Sequence, residues 1–252
     1  MSTWRDERND KSRARLARRL TDVFPPCVLA HAMRQPFTPP TQRLAVESYW
    51  RHHPLLADRL CRALASRSGA PDGWVWRLGT KEADLATSFR APPAPYREKK
   101  YALGPGHCCV CGQPVYRLGW HADLWGDGAP NKNATWHSAC VAAWKLWAAP
   151  TAYLRILKRR QQHKCLGTGK RLLKTSEVDH RVPLFAVWAE HRDRPWSELL
   201  AFWGGPNLQV INKTAHSDKC AAEAGLRAQK RAELARMDGS AQSPPLVGDP
   251  VS

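Results

Sequence analysis

Acidic residues are scarce in this 252-residue chain. Asp plus Glu number 22 against 39 Lys plus Arg, giving a formal charge of +17 and a pI near 10.0. That imbalance says little about fold and much about partners, which should be polyanions: nucleic acid or an acidic membrane surface. Long apolar runs are missing too. No stretch of 18 or more apolar residues occurs, so no segment reads as a membrane-spanning helix. Arg5, Arg8, Lys11, Arg13 and Arg15 have no apolar core behind them, so no secretory signal is expected. Asp6, Glu7 and Asp10 argue against an organelle presequence, which would be acid-poor. A cytoplasmic protein, bacterial or phage-encoded, is the expectation. Without a secretory route, the 8 cysteines read as thiols or metal ligands rather than disulfides.

The length is enough to bury a core and by itself fits one or two domains. Leu16, Leu20, Val23 and Phe24 fall at helical spacing within 11–24, with Arg15, Arg18 and Arg19 off that stripe, and Pro25-Pro26 ends the run. A second helix is expected over 41–53, with Leu44, Tyr49 and Trp50 inward. Pro54 then opens a third through Leu55, Leu56, Leu60, Ala63 and Leu64. His52 and His53 have no acidic or cysteine neighbour and read as surface residues. Trp74-Val75-Trp76 is strand-like. Ala91-Pro92-Pro93-Ala94-Pro95 is the clearest linker. The expected organisation is a basic, mostly helical region over 1–95, a second module over 96–150, a core over 151–237 and a disordered tail over 238–252.

The second module contains Cys108-x-x-Cys111-Gly112 and, later, Trp136-His137-x-x-Cys140. Two thiolates on a tight glycine turn with a His-x-x-Cys at a helix start make a closed S₃N set, which suits structural Zn²⁺. Cys109 is the rival to Cys108, and His121 and Asp123 are rivals to His137; the two-residue gap and the helix start favour Cys108, Cys111, His137 and Cys140. Beyond them, Val141 to about Arg160 reads as a helix broken at Pro150. Its apolar side is Trp144, Trp147, Tyr153, Leu154 and Leu157. Its basic side, Arg155, Lys158, Arg159 and Arg160 followed by Lys164, is the expected nucleic-acid surface.

The stretch from Glu177 to Lys219 organises the rest. Val178 lies between polar residues and Pro183 stops the run, which reads as a short strand ending in Asp179-His180. Leu208 to Ile211 is a second strand, and an Ala-, Lys- and Arg-rich helix follows from Lys213. Hydrolysis of a phosphodiester at neutral pH needs a base to activate water and a cation to absorb charge. Asp179 offers a hard oxygen ligand and His216 an imidazole ligand, while His180 can take the proton. Asn207 can hold the histidine or its loop, or supply a further oxygen.

Asp179-His180, then Asn207-Leu208-Gln209, then His216-x-x-Lys219 resembles the signature of the HNH endonucleases over roughly the last third of the chain before the tail. The resemblance implies an α+β fold with a ββα-metal core and DNA cleavage by His180-activated water. It implies one catalytic Mg²⁺ or Mn²⁺ on Asp179 and His216, products with 5′ phosphate, and Arg181 and Lys219 close to the bound DNA. A non-catalytic zinc-dependent DNA-binding protein with a decayed HNH core is the alternative, and an RNA nuclease a third. Many members carry a zinc knuckle around the core itself. Here its positions read Cys165-x-x-Thr168 and Asn212-x-x-Ala215, so that knuckle is absent, and the upstream Cys108 site takes its place as the staple. Cys165 and Cys220 are accordingly not expected as ligands. The long segment from Arg181 to Pro206 should hold helices, with Trp188, Trp196, Leu199, Leu200, Phe202 and Trp203 inward and His191 solvated.

Overall fold

A computed structural model describes residues 50–67, 106–116, 130–191 and 194–239, with isolated positions before residue 12. The expected helix over 11–24, the strand at 74–76, the linker at 91–95, His121, Asp123, the side chain of Trp188 and the tail from residue 240 lie outside the described residues, and the helix over 41–53 is described only from Trp50. What is described is an α+β structure. Helix α1 spans Pro54–Ser66, α2 Ser138–Ala148 and α3 Leu154–Arg160, with a 3₁₀ turn over Pro150–Tyr153. Strand β1 spans Glu177–His180, followed by α4 (Leu184–His191), α5 (Trp196–Trp203), β2 (Leu208–Ile211) and α6 (Lys213–Gly239).

Proline sets two of these boundaries. Pro54 lies in the first turn of α1, where its missing N–H costs nothing, and Pro150 opens the 3₁₀ turn that follows α2. Ala57, Leu60, Cys61 and Leu64 recur at helical spacing and form the buried stripe of α1. The stripe packs on α2, whose Ala139, Cys140, Ala143, Leu146 and Trp147 are buried, and on α5, which buries Leu199, Leu200 and Trp203. One buried cluster thus draws on α1, the cysteine turn at 108–111, α2, α5 and β2. Residues 50–67 are therefore part of the same packed body as the two segments after the linker. His191, expected as solvated, is half-buried and stacks on Phe202 at 5.0 Å, because α4 folds back on α5.

The sheet is antiparallel, with Glu177 opposite Ile211, Val178 opposite Val210, Asp179 opposite Gln209 and His180 opposite Leu208. Alternation puts Glu177 and Asp179 on one face of β1. Helix α6 starts one residue after β2 and brings its first turns to that strand, with the His216 N–H bonded to Asn212 O. At the end of α3, the Gln161 side chain receives the Val210 N–H (2.6 Å) and donates to Val210 O (2.9 Å).

Asp58 ties these parts together. It is 1% exposed, and its oxygens accept the Trp147 indole N–H at 2.8 Å, the Gly205 N–H at 3.1 Å and the Arg62 guanidinium. Arg160 adds a bond to Gly205 O at 2.6 Å. A Cβ on Gly204 would stand 2.1 Å from Asp58 Oδ1, so only glycine admits the carboxylate there. Asp58→Ala leaves two buried donors without partners, at about 1–3 kcal/mol each. We expect it to lower the urea midpoint strongly. Gly204→Ala should also destabilise, and the double variant should cost clearly less than the sum of the two, since the clash and the lost bonds share one carboxylate. Strict additivity in the denaturation cycle would overturn this account of Asp58.

Candidate metal centre and catalytic site

Cys108, Cys111, His137 and Cys140 are all buried, and their donor atoms lie within 4.8 Å of one another. The Cys108 turn closes through Gly112, whose φ of +71° suits glycine and whose N–H reaches Cys108 O at 2.9 Å. His137 is the N-cap of α2, which puts Cys140 in the first turn beside it. His137 Nδ1 lies 3.3 Å from Cys111 Sγ and 3.7 Å from Cys140 Sγ, while Nε2 donates to Pro114 O at 3.0 Å. That outer bond leaves the Nδ1 lone pair facing the thiols, as a ligating histidine requires. Tetrahedral Zn²⁺ with ordinary bond lengths would separate sulfur and nitrogen by about 3.6 Å, so the spacing fits.

Burial dominates the electrostatics of this cluster. Burial pushes the thiols up, and Cys111 and Cys140 lie well above the ordinary cysteine value. Against the same burial, Cys108 is held well below it by hydrogen bonds from Cys111 and Cys140 and by His137. A bound dication would favour the deprotonated thiols, as metal ligation requires. The four residues could hold a metal ion, consistent with structural zinc. Cys109, the rival ligand, is not in the donor set; burial and the neighbouring Cys108 push its thiol far up.

The second group of residues gathers where β1 meets α6. Glu177 Oε2 accepts the His216 Nδ1–H at 2.5 Å, and His216 Nε2 lies 3.8 Å from Asp179 Oδ1. Asp179 Oδ2 accepts from Lys219 Nζ at 2.7 Å and from Gln209 Nε2 at 2.8 Å. Lys219 also reaches His180 O at 2.6 Å and Glu223 at 2.7 Å. Burial works to lower the Lys219 pKa, but the carboxylates of Asp179 and Glu223 outweigh it and raise the value. One oxygen of Asp179 is thus neutralised from within, while the other faces an imidazole lone pair. Adjacent ligands of an octahedral ion with bonds of about 2.1 Å stand about 3.0 Å apart, so Oδ1 and Nε2, at 3.8 Å, would have to close by somewhat under an ångström to share one cation.

His180 leaves the end of β1 opposite Leu208. Burial lowers its pKa, Asp179 partly offsets that, and Lys219 adds to it. Its Nε2 is buried and has no hydrogen-bond partner among the described residues. Asn207 does not touch the imidazole through its side chain. Its Oδ1 accepts the Val182 N–H (2.8 Å), and its Nδ2 donates to Val182 O (2.9 Å) and Phe202 O (2.8 Å). Of the roles considered from sequence, holding the loop after His180 is the one these contacts perform, since both ends of the amide are engaged.

The basic residues divide. Arg155, Arg159, Lys164 and Arg181 are exposed. Lys158 donates to Leu173 O, Arg160 to Gly205 O and Lys219 to the Asp179 site, so these three are engaged internally. Glu177, Gln209 and Glu223 had no role in the sequence reading. Strand alternation puts Glu177 beside Asp179, and Glu223 lies one helical turn from Lys219, so both signals were present in the spacing. Asp58 gives no such signal.

Comparison of the chain with family models, with curated proteins and with solved structures yields no match. The reading of the site rests on its own residues.

Purified protein is expected to contain about one zinc per chain, and strong chelation should lower its melting temperature markedly, because structural zinc contributes folding free energy directly. Cys140→Ser should lose both metal and fold. A Cys140→Ser protein with wild-type melting behaviour would remove the zinc assignment.

Proposed function

We propose that this chain is a metal-dependent endonuclease of the HNH type that hydrolyses DNA phosphodiester bonds, with Asp179 and His216 holding one Mg²⁺ or Mn²⁺ and His180 as general base. The observation that supports it most is the facing pair Asp179 Oδ1 and His216 Nε2, with Glu177 fixing the tautomer of His216 from behind. A bound divalent ion would supply charge neutralisation for the phosphate and the departing 3′ oxygen.

The remaining chemistry belongs to this chain's residues. Burial lowers the His180 pKa, which favours the neutral ring that a base accepting a proton from water needs. The water oxygen attacks phosphorus, the bond to the 3′ oxygen breaks, and the products carry a 5′ phosphate and a 3′ hydroxyl. Asn207 fixes the peptide after His180 through its paired bonds to Val182. Lys219 holds His180 O and Asp179 together, so the base and the carboxylate keep one spacing. The overall charge of +17 favours a polyanionic substrate.

A second reading, a non-catalytic zinc-dependent DNA-binding protein, has one observation in its favour. Lys219 already neutralises half of Asp179, a pairing that needs no ion. Plasmid cleavage with added Mg²⁺ or Mn²⁺ separates the two readings, and matched RNA in the same assay tests the third.

The two histidines should fail differently. His180→Ala should leave fold, zinc content and DNA affinity nearly intact while cleavage falls ~10²–10⁴-fold, the usual worth of a general base. His216→Ala should weaken metal binding, and excess Mn²⁺ should restore part of its activity. Titration of Mn²⁺ against cleavage rate checks both. Rescue of His180→Ala but not of His216→Ala would reverse the roles, and full activity in both would end the nuclease reading.

A further inference from the structure

The chain folds the same knuckle twice. In the first copy the Cys108 N–H bonds Gln113 O, the Gly112 N–H bonds Cys108 O, and His107 bridges Pro114. In the second the Cys165 N–H bonds Lys170 O, the Gly169 N–H bonds Cys165 O, and Lys164 bridges Arg171. Gly112 and Gly169 take nearly the same conformation, with φ of +71° and +68°. Each knuckle is then set against the start of a helix: His137 O accepts the Val141 N–H, and Asn212 O accepts the His216 N–H. By position, Cys108, Cys111, His137 and Cys140 correspond to Cys165, Thr168, Asn212 and Ala215.

Hydrogen bonds do in the second copy what a metal would do in the first. Cys165 Sγ accepts the Asn212 N–H at 3.3 Å. The Asn212 side chain takes the Leu173 N–H (2.9 Å) and donates to Arg171 O (3.2 Å). Gly167 stands against Ala215, where a Cβ would lie 3.4 Å from the alanine methyl. The hairpin is thereby fixed one residue from His216, on the helix that supplies the imidazole.

The surroundings of the two copies are opposite. The first knuckle is buried from Cys108 to Gly112 and has no Lys or Arg between Gly106 and Tyr116. Residues 166–171 of the second are all exposed. Lys164, Lys170, Arg171 and Lys174 surround this tip, and among the described residues none of their side chains meets a carboxylate. From Gly128 to Ser176 the sequence contains no Asp or Glu at all. A knuckle that staples needs burial; one that is exposed, cationic and rigid without metal has another use.

We propose that the Lys164–Lys174 hairpin docks in the major groove of duplex DNA and positions the backbone over the site at Asp179 and His216. The hairpin is closed by the single Lys164–Arg171 bridge and is two chain segments wide; a groove about 12 Å wide admits an element of that width, whereas the major groove of A-form RNA is too deep and narrow for one. The proposal rests on the nuclease reading only for the choice of partner.

The experiment is a salt titration of duplex affinity by fluorescence anisotropy, on the full chain with no added Mg²⁺ or Mn²⁺. Lys170→Ala/Arg171→Ala is compared with Arg231→Ala/Arg236→Ala, an equal charge loss far along α6. Each phosphate contact contributes a slope of roughly 0.9 in log K against log salt. The hairpin variant should flatten the slope by about 1.8 with an unchanged melting temperature, whereas the α6 variant should barely move it. Equal effects of the two variants, or no effect of the first, would overturn the proposal, as would a wild-type protein that binds RNA but not duplex DNA. Duplex binding through the hairpin without cleavage would leave the docking assignment standing and remove the nuclease reading instead.

Discussion

A buried carboxylate needs partners, and Asp58 finds them in three places at once. The indole of Trp147 belongs to the helix behind the cysteine cluster, the N–H of Gly205 to the loop before β2, and Arg62 to the same helix as Asp58. Removing an ionised group from water is tolerated only when such bonds replace its hydration. The constraint therefore runs outward: α1 cannot leave without exposing two orphan donors. The Gly204-Gly205 turn cannot change shape without striking the carboxylate. Two residues further along the chain is Asn207, whose amide sets the backbone after His180. Helix α1 is thus bonded to the loop that leads to Asn207 and, through it, to the backbone after β1.

The two metal-ligand constellations differ in how they are held. The cysteine cluster is closed, buried and short of positive charge. The Asp179 site is half-exposed and already supplied with a cation in Lys219. An ion entering the first would take up thiols that burial otherwise keeps protonated. An ion entering the second meets one free carboxylate oxygen and one oriented imidazole, a weaker and more open arrangement.

Much of this architecture was legible from local chemistry. Pro54 and Pro150 act through backbone geometry alone, so the helix boundaries they set needed no tertiary information. The Cys108 turn and the His137-x-x-Cys140 helix start announced themselves by spacing. What stayed hidden depends on distance along the chain. Asp58 meets partners 89 and 147 residues away, and no periodicity reports such a pairing. Nor does the sequence report that Arg160 and Lys219 each bond a group supplied by another element, or that the Asn207 amide is held by two bonds to Val182.

A sheet of two strands has two outer edges, and each unpaired edge invites another chain to add a strand. On β2 the place of a third strand is taken by one side chain. The carboxamide of Gln161 presents an acceptor and a donor in the spacing of a peptide group, and Val210 bonds to both. With both backbone groups of Val210 held by Gln161, no further strand can pair with β2 at that residue, and among the described residues the sheet has two strands.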